Sequence, residues 1–174
     1  MNAPTSRRLV ILRHAKAEHP DRLDDRLRPL ALPGRRQAAD VGASLSRDQL
    51  IPDHVICSSS VRTRQTWDLA RTALAGDPQS VDVNDEAYHA GVRRLLEIVR
   101  EVGDDVTTLL VVGHEPVVSQ AAATLAGPGS DEAVLERVRV GVPTASYTVL
   151  ETDVPWSALE PDGARLVRLV TPTA

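Results

Sequence analysis

Phenylalanine is absent from the 174-residue chain, and its aromatic side chains are only Trp67, Trp156, Tyr88 and Tyr147. The core must therefore be built from Val, Leu, Ile and Ala, and a base-stacking nucleic-acid surface is disfavoured. Cysteine occurs once, at Cys57, so no internal disulfide can form; the thiol is expected to be buried and inert, and a reducing cytoplasm is the expected setting. No apolar run approaches the roughly 20 residues that a membrane span requires. The opening MNAPTSRR leads straight into a short apolar stretch, without the h-region or cleavage site of a secretion signal. Lysine is nearly missing as well: of 20 basic residues, only Lys16 is not arginine. Coding bias would produce that skew, and so would a need for guanidinium forks that hold phosphate or carboxylate bidentately.

What is present fits one soluble globular domain over residues 1–174, with 42% hydrophobic and 25% charged residues. A chain of this length can bury roughly 70% of the surface it exposes unfolded. The net charge of −4 is unevenly spread: residues 1–36 carry nine basic and four acidic groups, so a small anion would be drawn to that end.

Short apolar runs at 7–12 (RRLVIL), 54–57 (HVIC), 80–83 and 106–112 (VTTLLVV) read as strands, with later ones at 145–150 and 165–170. Helical spacing lies between them. Val92, Leu95, Leu96, Val99 and Val102 share one face, as do Val117, Val118, Ala121, Ala122 and Leu125. A further helix starts near Pro33, and Val61–Leu74 reads as another. Alternating strands and helices predict a layered α/β domain with a largely parallel sheet. Asp77-Pro78, Gly127-Pro128-Gly129 and Pro161-Asp162-Gly163 read as turns within that domain. Residues 16–32 lack apolar periodicity and include the charged run DRLDDR; a loop of that length in a compact domain is more often functional than decorative.

Ligands of open α/β sheets bind beyond the carboxyl ends of the strands. There the sequence places Arg13-His14 after the first strand, Ser58-Ser59-Ser60 leading to Arg62 and Arg64 after the second, and Gly113-His114-Glu115 after the fourth. One histidine at a strand end is ordinarily structural, but two beside several arginines point to a site. His14, Glu18 and His19 form HxxxEH, which is not a zinc-helix pattern, so no metal ligand set is expected. His54, His89, Arg35-Arg36 and Arg93-Arg94 are expected at the surface, and Arg64 in a carboxylate pair.

The segments LVILRHAKAE, RPLALPGRRQA, CSSSVRTRQTW and LLVVGHEP, in this order, resemble the histidine phosphatase superfamily, with the phosphoglycerate-mutase-like fold. The short form and its Arg-Pro-Leu are most similar to the bacterial phosphohistidine phosphatase branch. The resemblance runs from about Leu9 to Gly127. It implies a three-layer α/β/α sandwich in which His14 is the nucleophile, Arg13 and Arg62 hold the phosphoryl oxygens, His114 completes the pocket and Arg28 matches the branch's additional arginine. It implies no cofactor and no metal, and its partner would be a phosphorylated protein or a small-molecule phosphate, with neither nucleic acid nor membrane involved.

The chemistry accounts for these residue types. Neutral imidazole is a competent nucleophile whose phosphorylated form is itself labile, and fixed guanidinium groups stabilise charge spread over three oxygens. The Ser59-Ser60 turn at a helix start can add backbone N–H groups, which makes Ser59 a substrate-binding candidate. Two departures stand out. Ala15 replaces the family's usual glycine after the nucleophile, and the expected leaving-group acid is missing where the chain reads Asp85-Glu86-Ala87-Tyr88-His89. Glu86 matches a structural acidic position of the family and is retained as a substrate-binding candidate; Glu86 or Asp85 is the candidate proton donor, with a solvated loop carboxylate as the plain alternative. The leading expectation is hydrolysis of protein phosphohistidine. A small-metabolite phosphatase is the alternative, and a non-catalytic phosphate-binding module is a rival of another class.

Overall fold

The computed structural model describes residues 5–173. Six strands form one sheet in the order β3-β2-β4-β1-β5-β6. They are β1 (Arg7–Arg13), β2 (His54–Ser58), β3 (Ser80–Asn84), β4 (Thr108–Gly113), β5 (Tyr147–Thr152) and β6 (Arg165–Val170). Strands β1 to β4 are mutually parallel, whereas β5 runs antiparallel to both β1 and β6. The sheet is thus mostly parallel, as the alternation of strands and helices predicts.

Strand alternation sends side chains into two separate cores, because successive residues point to opposite faces. Leu9 and Ile11 of β1, Leu109 and Val111 of β4, and Ile56 of β2 pack with one set of helices. Val10, Leu12, Leu110, Val112, Val55 and Cys57 pack on the other face. Burial on both faces explains why β1, β2 and β4 read as unbroken apolar runs. Each fully buried Leu, Val or Ile contributes about 1.5–3 kcal/mol.

On the second face lie α1 (Leu32–Arg47) and α2 (Val61–Thr72); on the first lie α4 (Val92–Arg100), α5 (Val117–Leu125) and α6 (Glu132–Val140). Helix α6 was not expected from the sequence, and neither was the five-residue α3 (Asp85–His89). Their caps explain their starts: Asn84 accepts from the Ala87 N–H and Asp131 from the Val134 N–H. Strand β4 begins two residues later than its apolar run suggests. Strand β5 starts at Tyr147 because Ala145 sits in the left-handed region at φ 53°.

The scarce aromatics are used where their polar ends find partners. Trp156 is fully buried and donates to the Val106 carbonyl at 2.8 Å, and the Tyr147 hydroxyl meets Ser44 Oγ at 2.8 Å. The Cys57 thiol is buried, and that burial pushes its pKa up to about 12, which leaves it unreactive.

The loop after β1 is closed at its neck. Ala31 N–H donates to the Lys16 carbonyl at 2.9 Å, and Glu18 N–H to the Pro29 carbonyl at 2.8 Å. Gly34 permits this closure, since a Cβ there would collide with the Lys16 carbonyl. Within the loop, Asp24 caps a single 3₁₀ turn at Asp25–Leu27.

Candidate active site

The register of the sheet assembles the site. Arg13 of β1 stands opposite Gly113 of the parallel neighbour β4, so the next residue on each strand, His14 and His114, emerges side by side. Their rings lie 5.5 Å apart. On the other side of β4, Cys57 pairs with Val112, which brings Ser58 to the same level. Arg62 follows two residues into α2, whose start is fixed by the Ser60 side chain accepting from the Thr63 N–H. A cavity of about 350 Å³ opens here, lined by Arg13, His14, Lys16, Arg28, Arg62, His114 and the carboxylate-bearing Asp25 and Glu115.

The His14 backbone is held on both sides, its N–H donating to the Gly113 carbonyl at 3.1 Å and its carbonyl accepting from Ala145 at 3.1 Å. Its Nδ1 lies 2.7 Å from the Ala15 carbonyl. A carbonyl only accepts, so Nδ1 carries the proton and Nε2 is left with its lone pair. Burial, reinforced by nearby His114, Arg62 and Arg13 and partly opposed by the Ala15 bond, lowers the His14 pKa to about 3. Burial and Arg62 lower that of His114 to about 4. Both rings are neutral at pH 7. His114 Nε2 meets Ser58 Oγ at 2.7 Å, and its buried Nδ1 has no partner. With Ser58 donating, Nδ1–H becomes a free donor. Ala15 is fully buried and donates its N–H to Thr66 Oγ1 at 3.0 Å, which ties the flank of His14 to α2.

Depressed histidine pKa values carry a stability signature. The unfolded chain takes up protons below about pH 6.5 that the folded site refuses, so stability falls as pH drops through the window from the unfolded value towards 4 and 3. The slope reaches about 1.4 kcal/mol per pH unit for each histidine. Urea unfolding at pH 7 and pH 5 should show this loss, and His14→Gln should reduce it. An unchanged pH dependence in that variant would contradict the buried neutral assignment.

The two arginines are held alike. Arg13 Nη1 donates to the Val142 carbonyl at 3.0 Å; Arg62 Nη1 donates to the Asp25 carbonyl at 2.7 Å, and its Nη2 to Asp25 Oδ2 at 3.0 Å. In both, the protein takes the outer end of the guanidinium and leaves the buried Nε without a partner. The Nε–H of each guanidinium is therefore an unsatisfied buried donor, in a residue that lines the cavity. Glu115 supports Arg13 indirectly. Its carboxylate accepts from the Val142 N–H at 3.2 Å and from the Ser119 N–H at 2.7 Å, and so fixes the segment whose carbonyl holds the guanidinium.

Of the residues singled out in the sequence, the fold brings His14, Arg13, Arg62, His114 and Arg28 to one cavity. Arg28 spends its guanidinium on the loop, donating to the Glu18 carbonyl at 2.9 Å and Asp25 Oδ1 at 2.9 Å, and meeting His19 Nε2 at 3.2 Å. Ser59 and Glu86 are not among the residues lining it. Ser59 Oγ is taken by Arg26 Nη2 at 2.8 Å, and Ser58 is the serine that touches a site histidine. Glu86 is exposed and turned to Arg94, whose Nε donates to it at 2.6 Å, so it corrects to a surface ion pair. Asp85 pairs with Arg26, likewise outside the cavity. Arg64 shows no ion pair among the described residues. Neither does a group of three His, Cys, Asp or Glu side chains converge there in a way that could hold a metal ion. Tyr88 is a site residue that the sequence did not single out, whereas Glu115 stands in the Gly113-His114-Glu115 turn and Asp25 in the charged run DRLDDR, neither with an assigned role.

No family model matches the chain. An uncharacterised Mycobacterium tuberculosis protein, Rv1276c, is 40% identical over 162 residues, spanning 92% of this chain and 99% of the relative. The solved structure of a candidate phosphohistidine phosphatase SixA from Nakamurella multipartitia is 32% identical, with a TM-score of 0.82 over 97% of this chain and 98% of that one. A protein histidine phosphatase SixA in complex with tungstate, 20% identical, has the same fold at a TM-score of 0.75, covering 95% of this chain and 97% of that one. The chain belongs to the histidine phosphatase superfamily. Within it, the chain falls in the SixA-like branch. Among the described residues, no helix is long and apolar enough to cross a membrane.

Proposed function

We propose that the protein hydrolyses a phosphoryl compound through a covalent phosphohistidine on His14, with protein phosphohistidine as the substrate. The observation that carries this reading is the pairing of a neutral His14, whose Nε2 lone pair is free, with two cavity-lining guanidinium groups whose Nε–H lacks a partner. The Nε2 pair forms a bond to phosphorus as the leaving group departs with the old bonding pair. Arg13, Arg62 and the His114 donor stabilise the charge on the three phosphoryl oxygens, and water then releases phosphate from the ring. Tungstate is itself a tetrahedral oxyanion, and its presence in a SixA complex supports a pocket of this chemistry.

The substrate preference follows from an acid that is missing. The hydrogen bond from Tyr88, together with Arg28 and Arg62, holds the Asp25 carboxyl well below the usual carboxylate range; Glu115 already accepts two backbone N–H bonds, and Glu86 lies outside. None is placed to protonate an alkoxide, whereas a protonated phosphoimidazole expels a neutral ring. The cavity volume would also admit a sugar phosphate, which keeps a small-metabolite phosphatase as the second reading.

Turnover against phosphohistidine, aryl phosphate and alkyl sugar phosphate, each with and without excess EDTA, separates the two. We expect the first two to be fast, the third to be slow and the chelator to have no effect. Sugar phosphates turning over as fast as aryl phosphates would favour the metabolite reading, and a chelator-sensitive rate would require a different mechanism.

A further inference from the structure

A carboxylate is the wrong sign for a phosphate pocket, yet Asp25 lines the same cavity as His14 and His114, among Arg13, Arg28, Arg62 and Lys16. An anion there repels every dianionic ligand, and a local departure from good sense of this kind marks a position kept for function. Asp25 is firmly placed. Its Oδ2 accepts from Arg62 Nη2 at 3.0 Å and from the Tyr88 hydroxyl at 2.6 Å, and its Oδ1 accepts from Arg28 Nη1 at 2.9 Å. The Tyr88 ring in turn packs edge-on against His114, with centroids 5.6 Å apart, so the carboxylate is tied to both halves of the pocket. An ionised carboxylate offers about four acceptor sites. Three donors are in place and the Asp25 side chain remains 53% exposed, which leaves an acceptor position open to a ligand.

Resting on the reading that His14 takes its phosphoryl group from nitrogen, we propose that Asp25 is a specificity-determining residue: it accepts a hydrogen bond from the ring N–H of a departing imidazole, and so selects phosphoimidazoles over phosphate esters. In a phosphoimidazole one ring nitrogen bears phosphorus and the other can carry a proton. With that proton in place, the His14 Nε2 pair forms the new P–N bond, the old P–N pair returns to the leaving ring, and imidazole departs neutral. The ring is cationic until it leaves, and a fixed carboxylate stabilises that cation. An ester places growing negative charge on its leaving oxygen instead, which the same carboxylate opposes.

Asp25→Asn keeps the size and an acceptor oxygen for Arg62 while removing the charge. The measurement is kcat/KM of wild type and variant for phosphoimidazole and for 4-nitrophenyl phosphate. We expect the ratio of the phosphoimidazole value to the aryl phosphate value to fall by on the order of tenfold, the scale of one charge-assisted hydrogen bond, beyond whatever loss the two substrates share through the weakened hold on Arg62. Asp25→Glu, which restores the charge on a longer arm, should recover part of the preference, and it provides the test if the asparagine variant does not fold. A parallel fall for both substrates, or no change in either, overturns the proposal and leaves Asp25 as a support for Arg62. A wild-type enzyme inert towards every phosphoryl substrate would instead remove the phosphatase reading itself.

Discussion

His14→Ala is expected to lower turnover by at least about 10⁴-fold on any substrate the enzyme accepts, the scale of losing a nucleophile that no neighbour can replace. The fold should survive. The backbone at this position is held by main-chain bonds to Gly113 and Ala145, and the imidazole's own hydrogen bond is local, to the next carbonyl in the chain. Removing a buried group that the folded state keeps neutral should also lessen the loss of stability at acid pH. Circular dichroism and a thermal midpoint within a few degrees of wild type would show that the lost rate is chemical. A variant retaining even a hundredth of the activity would exclude His14 as the nucleophile.

Arg62→Ala should reduce kcat and kcat/KM together by on the order of 10²–10³, because a preorganised donor aimed at the transferring group acts in the transition state more than in binding. Arg62→Lys should not restore the rate. The native guanidinium does two things at once: its outer end engages the Asp25 carbonyl and carboxylate, while its Nε edge stays free. An ammonium has no second edge and cannot do both. Near-normal kcat for the lysine variant would contradict this account, and a raised KM with unchanged kcat would reassign Arg62 to ground-state binding.

Much of this site could be read from the chain because parallel strands convert sequence position into place. The apolar runs before Arg13, Ser58 and Gly113 belong to adjacent central strands, buried on both faces, so the residues that follow them had to meet at one edge. Ser58 was harder to pick out than Ser59: it is the last residue of β2 and its hydroxyl meets His114, whereas the Ser59 hydroxyl, one residue past the strand, meets Arg26. Asp25 and Tyr88 were hidden for a different reason. Their partners lie far off in sequence, Arg62 for the first and His114 for the second, and no hydrophobic period encodes an ion pair between a loop and a helix. The charged run DRLDDR marked the loop but not which carboxylate turns inward.

Helix α6 left a signal that could have been used. Asp131 precedes it, Glu132 sits in its first turn, Arg137 and Arg139 in its last, and Gly141 ends it at φ 141°. Its buried stripe is only Val134 and Val138, too thin to stand out beside the stronger pattern of α4. Strand β3 was legible despite its exposed position at the sheet edge because Val81 and Val83 alternate with polar neighbours.

The measurement closest to the central claim is a rapid mix with labelled substrate, quenched in alkali and mapped by mass spectrometry. A phosphoryl adduct on His14 is expected, stable in base and lost in acid, formed and discharged at rates compatible with turnover. An adduct on Ser59, or sustained turnover with no protein-bound phosphoryl group, would contradict it.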